Sequence, residues 1–373
     1  MRFIKSAFQA CIIYLLPAIF TPVAINAQNQ EETGDTVKIG LLIPDSKSLA
    51  SKYGAELAVR KANISGGLNG HPVRLIVRSM EGHWGTGSKQ AVTMIFDENV
   101  VAILGSHDGR NAHLVEQVSA KSRVVFLSAW SGDPTLSQAF VPWFFNCVYN
   151  DLQLADALIE EVYDRRKYVK IAVISDNSYD SESTMKNFLK KAESEGKPEP
   201  MKISYNDTSQ DFKTISEKLK TADISCIILF VQPPASLKIT EQMKIDNIGW
   251  PVFGSLAQLD ENKIARQDLR NYENVTFVSS GILAGNIGIS FSEDYEKAYG
   301  NLPGAVAAHA YDGMNILLEA IRKGGTEHET LQRSIAEIKY EGVTGLIKFD
   351  DNGNRRGKPG LVIIKNGIPV TLK

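Results

Sequence analysis

The residues able to do chemistry in this chain form loops of aromatic, hydroxyl and acidic side chains, and none completes a catalytic motif. The six histidines (His71, His83, His107, His113, His309 and His328) include no i,i+4 pair and no His-Glu-x-x-His spacing, so no metal site is indicated. Gly82-His83-Trp84-Gly85-Thr86-Gly87-Ser88-Lys89 imitates a phosphate loop, but the required Gly-Lys-Ser/Thr order is inverted. No Gly-x-Ser-x-Gly elbow occurs. Glu160 and Glu161 read as solvated carboxylates on an exposed helix face. Asp108 or Glu81 could act as a general base, though no nucleophile or second group pairs with either. Trp84 and Trp130 lie in loops and could stack on a flat or apolar ligand. The pattern is that of a binding protein, with no enzyme activity and no cofactor.

The elements that must position these loops begin after a short leader. Arg2 and Lys5 precede an apolar body at 11–20, and Ile25-Asn26-Ala27 before Gln28 reads as a cleavage site. Residues 1–27 are therefore expected to be a signal peptide that sends the chain to the periplasm. The apolar body is broken by Pro17 and Pro22 and is too short to span a bilayer. Residues 28–35 are polar and without periodicity, a disordered leader. Beyond them no second long apolar stretch exists, so the mature chain is not expected to be an integral membrane protein. With 43% hydrophobic and 23% charged residues a core is easily built, and a net charge of −2 does not suit nucleic acid or an anionic membrane. Only Cys147 and Cys226 follow the leader. Export permits a disulfide, but strand-like flanks favour two buried thiols.

Short apolar runs at 37–43, 72–79, 101–104 and 124–127 alternate with helical stretches at 49–64, 88–98 and 112–121. Such runs are what a parallel sheet covered on both faces requires. The rhythm restarts after Asn150, with strands at 170–175, 201–205, 225–231 and 251–254 and helices at 154–164, 181–195, 212–221 and 236–247. A strand at 275–278, helices at 292–299, 305–322 and 330–338, and strands at 345–349, 361–365 and 368–372 complete the chain. The fold class is α/β, with two doubly wound parallel-sheet lobes and a ligand cleft between them.

Four stretches, in order along the chain, resemble the exported substrate-binding proteins of ABC transporters, in the leucine/isoleucine/valine-binding branch of the type I periplasmic-binding fold. Val37-Lys38-Ile39-Gly40-Leu41-Leu42-Ile43-Pro44 with Tyr53-Gly54 and Ala58 resembles the family's opening strand, loop and helix. Ile64-Ser65-Gly66-Gly67-Leu68-Asn69-Gly70 is similar to its turn into strand two. Ser128-Ala129-Trp130-Ser131-Gly132-Asp133-Pro134-Thr135-Leu136 resembles its binding loop, and Ala310-Tyr311-Asp312 its late helix. The resemblance implies three chain crossings, with lobe one at 36–149 plus 276–342 and lobe two at 150–275 plus 343–373. It further implies a monomer that closes on one small ligand and hands it to an ABC permease.

By the same resemblance, Gly109, Ala129 and Ser131 match positions that hold a ligand carboxylate, Gly109 offering only its N–H. Tyr179 matches the family's lobe-two aromatic, and Gln232 falls near a second aromatic position. The family's acid for the ligand ammonium should follow Gly254, where this chain has Ser255-Leu256-Ala257. A buried ammonium without a counter-charge would cost several kcal/mol. Either Asp108, Glu81 or Asp260 supplies the charge from elsewhere, or the ligand lacks an ammonium, and the missing acid favours the second. A sensing module signalling through a separate membrane partner is the alternative function, and an exported enzyme a third.

Overall fold

The computed structural model describes residues 36–105, 108–138, 141–206, 212–279 and 285–372. The expected signal peptide and leader, together with Ser106 and His107, lie outside these residues. The first lobe is built from β1 (Val37–Ile43), α1 (Leu49–Ile64), β2 (Val73–Ser79), α2 (Thr86–Val92), β3 (Ala102–Gly105), α3 (Gly109–Ser122), β4 (Val125–Ser128), the single turn α4 (Thr135–Gln138) and β5 (Phe144–Asn146). Its five strands run in the order β2-β1-β3-β4-β5, all paired in parallel. Strands β3 and β4 are buried along their whole length, as their unbroken apolar runs required.

The second lobe starts at α5 (Asp151–Ile159), whose N-cap Asn150 forms a reciprocal capping box with Gln153. It continues through β6 (Ile171–Ser175), α6 (Tyr179–Ser194), β7 (Met201–Ser204), α7 (Phe212–Thr221), β8 (Cys226–Phe230), α8 (Ala235–Ile245), β9 (Val252–Gly254) and β10 (Thr276–Ser279). The chain returns to lobe one with α9 (Gly285–Tyr299), α10 (Ala305–Gly324), α11 (His328–Ala336) and the hairpin β11 (Tyr340–Gly342) and β12 (Gly345–Ile347). It ends in lobe two with β13 (Gly360–Lys365) and β14 (Ile368–Thr371), giving the sheet order β14-β13-β10-β9-β8-β6-β7.

Two lobe boundaries differ from the sequence expectation. Strand β10 pairs with β9 and β13, so 276–279 belong to the second sheet and the crossing follows Ser279. Ile347 and Phe349 pack in the first lobe's core, with Phe349 edge-on to Phe145 at 5.1 Å, so the last crossing falls after residue 349 and not at 343. Strand pairing decides the first case and side-chain burial the second, and neither is visible to local periodicity. Glu161 also departs from its expected exposure. It is 2% exposed and bonds Arg166 at 2.8 Å and Arg165 at 3.2 Å, while its neighbour Glu160 pairs with Lys358. Cys147 and Cys226 are buried free thiols in separate cores.

Three features hold the lobes' frame. Helix α1 lies against α10 so closely that a Cβ on Gly54 would come 2.2 Å from the Ala307 carbonyl oxygen. At the crossings, buried Asp312 accepts from Val343 N at 2.9 Å and from Thr344 N and Oγ1 at 2.7 Å each. Arg355, 1% exposed, donates to the carbonyls of Cys147 at 2.9 Å and Thr344 at 2.7 Å and lies over the Tyr149 ring. Glu261 of lobe two caps α10 of lobe one, bonding Val306 N and Ala307 N at 2.9 and 2.8 Å.

Gly54→Ala should lose about 1–3 kcal/mol of stability in urea denaturation, because the added methyl must push two helices apart. Arg355→Ala, which orphans buried carbonyls at the crossings, should cost about 3 kcal/mol or more in the same measurement. A loss within about 0.5 kcal/mol of zero for either variant would contradict the packing described.

Candidate ligand-binding cleft

Both sheets carry a topological switch beside their first strand, and ligands in open α/β sheets bind outside the strand carboxyl ends at such points. A cleft of about 490 Å³ opens there between the lobes. Pro44, Asp45, Lys47 and Ser48 after β1, Asp108 after β3, and Trp130, Gly132 and Asp133 after β4 form its first wall. Asp180, Ser181 and Thr184 after β6, Gln232 after β8, and Ser255, Leu256, Ala257, Asp260 and Lys263 after β9 form the second. Asp151 and Tyr149 close it near the crossing.

The two best-defined helix N-termini of the cleft face each other. Asp108 caps α3 by accepting from Asn111 N, and Ser178 caps α6 by accepting from Ser181 N. Gly109 N, in the first turn of α3, donates to Asp180 Oδ1 of α6 at 3.0 Å across the cleft. In return, Tyr179 Oη of α6 donates to Asp133 Oδ2 of lobe one at 2.8 Å. A Cβ on Gly109 would lie 2.7 Å from the Asp133 Cβ, so only glycine permits this approach. Asp133 also bonds Thr135 N and Oγ1 and sits 3.1 Å from His113 Nε2. Its hydrogen bonds to His113, Thr135 and Tyr179 outweigh burial and hold its pKa near about 2. His113, bonded to Asp133 and Glu116, is pushed up to about 9.

Two carboxylates lean the other way. Burial, with Asp108 and Asp133 nearby, pushes Asp180 up to about 6, against the bond from Gly109 N. Burial, with Asp180 and Asp133 nearby, raises Asp151 well above the usual range, although Thr184 Oγ1 donates to it at 3.0 Å. Among the described residues the lining holds seven carboxylates (Asp45, Glu81, Asp108, Asp133, Asp151, Asp180 and Asp260) and two lysines, Lys47 and Lys263.

Of the residues expected from the sequence, Asp108, Trp130 and Gln232 line the cleft. Gly109 and Tyr179 are at its rim, each bonded to a carboxylate of the opposite lobe. Ala129 and Ser131 do not line it. Both are buried, Ala129 in the lobe-one core and Ser131 with its Oγ toward Asp133 N. Their neighbours Trp130 and Gly132 face the cleft instead. Trp84 is 64% exposed, carries Arg110 over its ring at 4.4 Å and takes no part in the lining. Gln232 donates from its backbone to Asp176 and from Nε2 to Ser181 Oγ at 3.3 Å. Asp133, Asp151 and Asp180 were missed as site residues. Asp133 and Asp180 flank recognised loop positions, but Asp151 carries no motif and reaches the cleft only through the tertiary fold.

Two hinged α/β lobes enclosing a polar cleft at their strand carboxyl ends define a two-lobed solute-binding protein. A family model for periplasmic binding proteins matches residues 36–363, and the chain belongs to that family. It is similar to Leu/Ile/Val-binding protein homolog 7 of Brucella abortus, 24% identical over 345 residues that cover 85% of this chain and 86% of the relative. Its fold matches the isoleucine complex of the branched-chain amino acid transporter substrate-binding protein LivJ from Streptococcus pneumoniae. That match has TM-score 0.77 and 19% identity and covers 90% of this chain and 100% of the other. A solute-binding protein of an ABC transporter from R. palustris, solved with benzoate, matches with TM-score 0.78 and 17% identity over 90% and 95% of the two chains. These relatives are solute-binding proteins and not enzymes.

Asp180 gives the cleft a pH signature. Its folded pKa of about 6 lies above the ordinary aspartate value of 3.8, so between those pH values the native state holds the extra proton. Stability from this group is therefore lost as pH rises through the window. Asp180→Asn keeps the acceptor for Gly109 N and removes the titration. Its melting temperature relative to the unchanged protein should rise between pH 4 and pH 7 and level off above; a flat difference would place the titration elsewhere.

Proposed function

We propose that the protein is an exported substrate-binding component of an ABC transporter whose ligand is a small solute carrying a cationic nitrogen, an amine or a guanidine. One observation carries this reading: two donors at positions that the family resemblance assigns to ligand binding, one of them to a ligand carboxylate, are engaged by the chain's own carboxylates. Gly109 N is bonded to Asp180 and Tyr179 Oη to Asp133. Gly132 brings no hydroxyl to the loop, and a Cβ there would lie 2.9 Å from Asp151 Oδ1. An entering carboxylate meets like charges. At about 4 Å and an effective dielectric near 20, each such pair costs roughly 4 kcal/mol, and an ammonium gains by the same measure.

The missing acid after Gly254 then has a physical replacement. Asp151 and Asp180 supply the counter-charge from the start of α5 and α6, and Asp260 adds a third carboxylate one turn beyond the family position. The expectation of a ligand without an ammonium gives way to its opposite. Trp130 contributes an apolar wall for the solute's carbon skeleton. The family's usual compartment and the leader at 1–27 support delivery from the periplasm to a permease.

The sign of proton exchange tests the ligand class. A cation favours the ionised carboxylates, lowers their pKa and releases protons on binding near pH 6; a carboxylate ligand would take protons up. Calorimetry with diamines, guanidines, neutral amino acids and benzoate, in two buffers of different ionisation enthalpy, should show cationic solutes binding at least about tenfold tighter, about 1.4 kcal/mol, with proton release. Asp151→Asn should weaken them by a similar factor. Tighter binding of benzoate, or proton uptake, would overturn the proposal.

A further inference from the structure

The molecule's charge is divided between two concavities. Carboxylates dominate the cleft, whereas an open cavity of about 360 Å³ at the chain crossings has Lys348, Arg355, Arg356 and Lys358 in its wall. Among the described residues no carboxylate lines it. Tyr149 and Ser279 border it at the first two crossings, and Lys348 and Lys358 stand on either side of the third. Its volume falls within the roughly 300–1,000 Å³ usual for small-molecule sites. The backbone forces two of the cations together. Phe349 and Arg355 form an antiparallel bridge, and Arg356 N donates to the Lys348 carbonyl at 2.7 Å. Lys348 and Arg356 are therefore cross-strand neighbours, a placement in which like charges repel.

Arg355 of the same wall is 1% exposed, and its Nη atoms donate to the carbonyls of Cys147, Thr344 and Leu346 and to the Thr344 hydroxyl, all uncharged acceptors. Buried charges are ordinarily paired, and Asp312 reaches this one only through Thr344. Nearby acids offset the exposed cations only in part. Arg356 Nη2 is 3.4 Å from the fully exposed Asp351, and Lys358 pairs with Glu160, both half-exposed. Exposed pairs of this kind are weak and screened by salt. Lys348 takes part in neither. From the cavity, its cationic wall and the opposed Lys348 and Arg356, we infer that the concavity at the crossings is a second ligand site, for a small multivalent oxyanion. The exposed side chains of Lys348 and Lys358 meet it as point charges, and Arg356 as a planar guanidinium suited to phosphate or carboxylate oxygens. Buried Arg355 adds its field through space, so no buried atom has to be reached. Such a ligand has the sign of charge that the acid-lined cleft repels.

The test titrates citrate, pyrophosphate and acetate into the full mature chain at constant ionic strength. Calorimetry should show saturable one-to-one binding of citrate or pyrophosphate, about tenfold or more tighter than acetate, and the tighter of the two tells carboxylate from phosphate recognition. The amide signals of Gly345, Gly357 and Gly360, all in the cavity wall, should shift with the same saturation. Lys348→Gln with Lys358→Gln should weaken binding by about tenfold or more and leave the melting temperature of the unliganded chain unchanged. Lys218→Gln with Lys220→Gln removes the same charge from two exposed lysines of α7 and should leave binding unchanged. Absence of saturation, or acetate binding as tightly as citrate and pyrophosphate, would overturn the inference. So would equal losses in the two double variants, which would reduce the effect to the chain's overall charge.

Discussion

Thr344, held between the Asp312 carboxylate and the Arg355 guanidinium, is the contact on which the two-lobed arrangement depends. Its hydroxyl donates to Asp312 and accepts from Arg355 Nη1 at 3.2 Å, while its backbone N–H and carbonyl serve the same two partners. One residue thereby ties α10, the end of β5 and the last crossing into a single buried polar network. Gly342 makes room for it, since a Cβ there would stand 2.5 Å from the Asp312 carboxylate. Burial pushes Asp312 up to about 6 despite three donors. Such a network is weak evidence for net stability but strong evidence for a fixed geometry, because every member is aligned by the others.

With the frame fixed, the cleft is set by opposed helix N-termini. Each helix start carries a partial positive charge and unpaired N–H groups. In this chain Asp180 and Asp133 meet the donors from the opposite lobe, so the same pairs that fill an anion site also draw the lobes together. Asp133 is balanced by His113, whereas among the described residues no lysine or arginine is bonded to Asp151 or Asp180. The unbalanced pair gives the cleft its chemical preference, and the balanced one gives it its shape.

Much of the architecture was legible because each parallel strand is apolar along its length and each helix is amphipathic. Strand 37–43 and helices 49–64 and 212–221 match the sequence limits to the residue. Strand β5 was missed because three residues, Phe144–Asn146, carry too little periodicity to be read. The lobe assignments of β10 and of Phe349 depended on pairing and burial between segments far apart in sequence. At the site, family spacing located the loop Ser128–Asp133, in which the expected Trp130 lines the cleft together with Gly132 and Asp133, while Ala129 and Ser131 are buried. Asp151 could not have been found locally, since it carries no motif and reaches the cleft only through the tertiary fold.

The two thiols have a consequence for how the chain must mature. Cys147 lies in the lobe-one core and Cys226 in a lobe-two core, with burial raising the pKa of both, Cys226 to about 12. Thiolate is the species that reacts, so the finished protein is inert to oxidants that attack exposed cysteine. While the chain is still unfolded the same thiols are free to pair, and that bond would join two cores that must form apart. In an oxidising compartment the lobes are therefore in a race with disulfide formation. Burial of each thiol in its own core is what removes both from that competition.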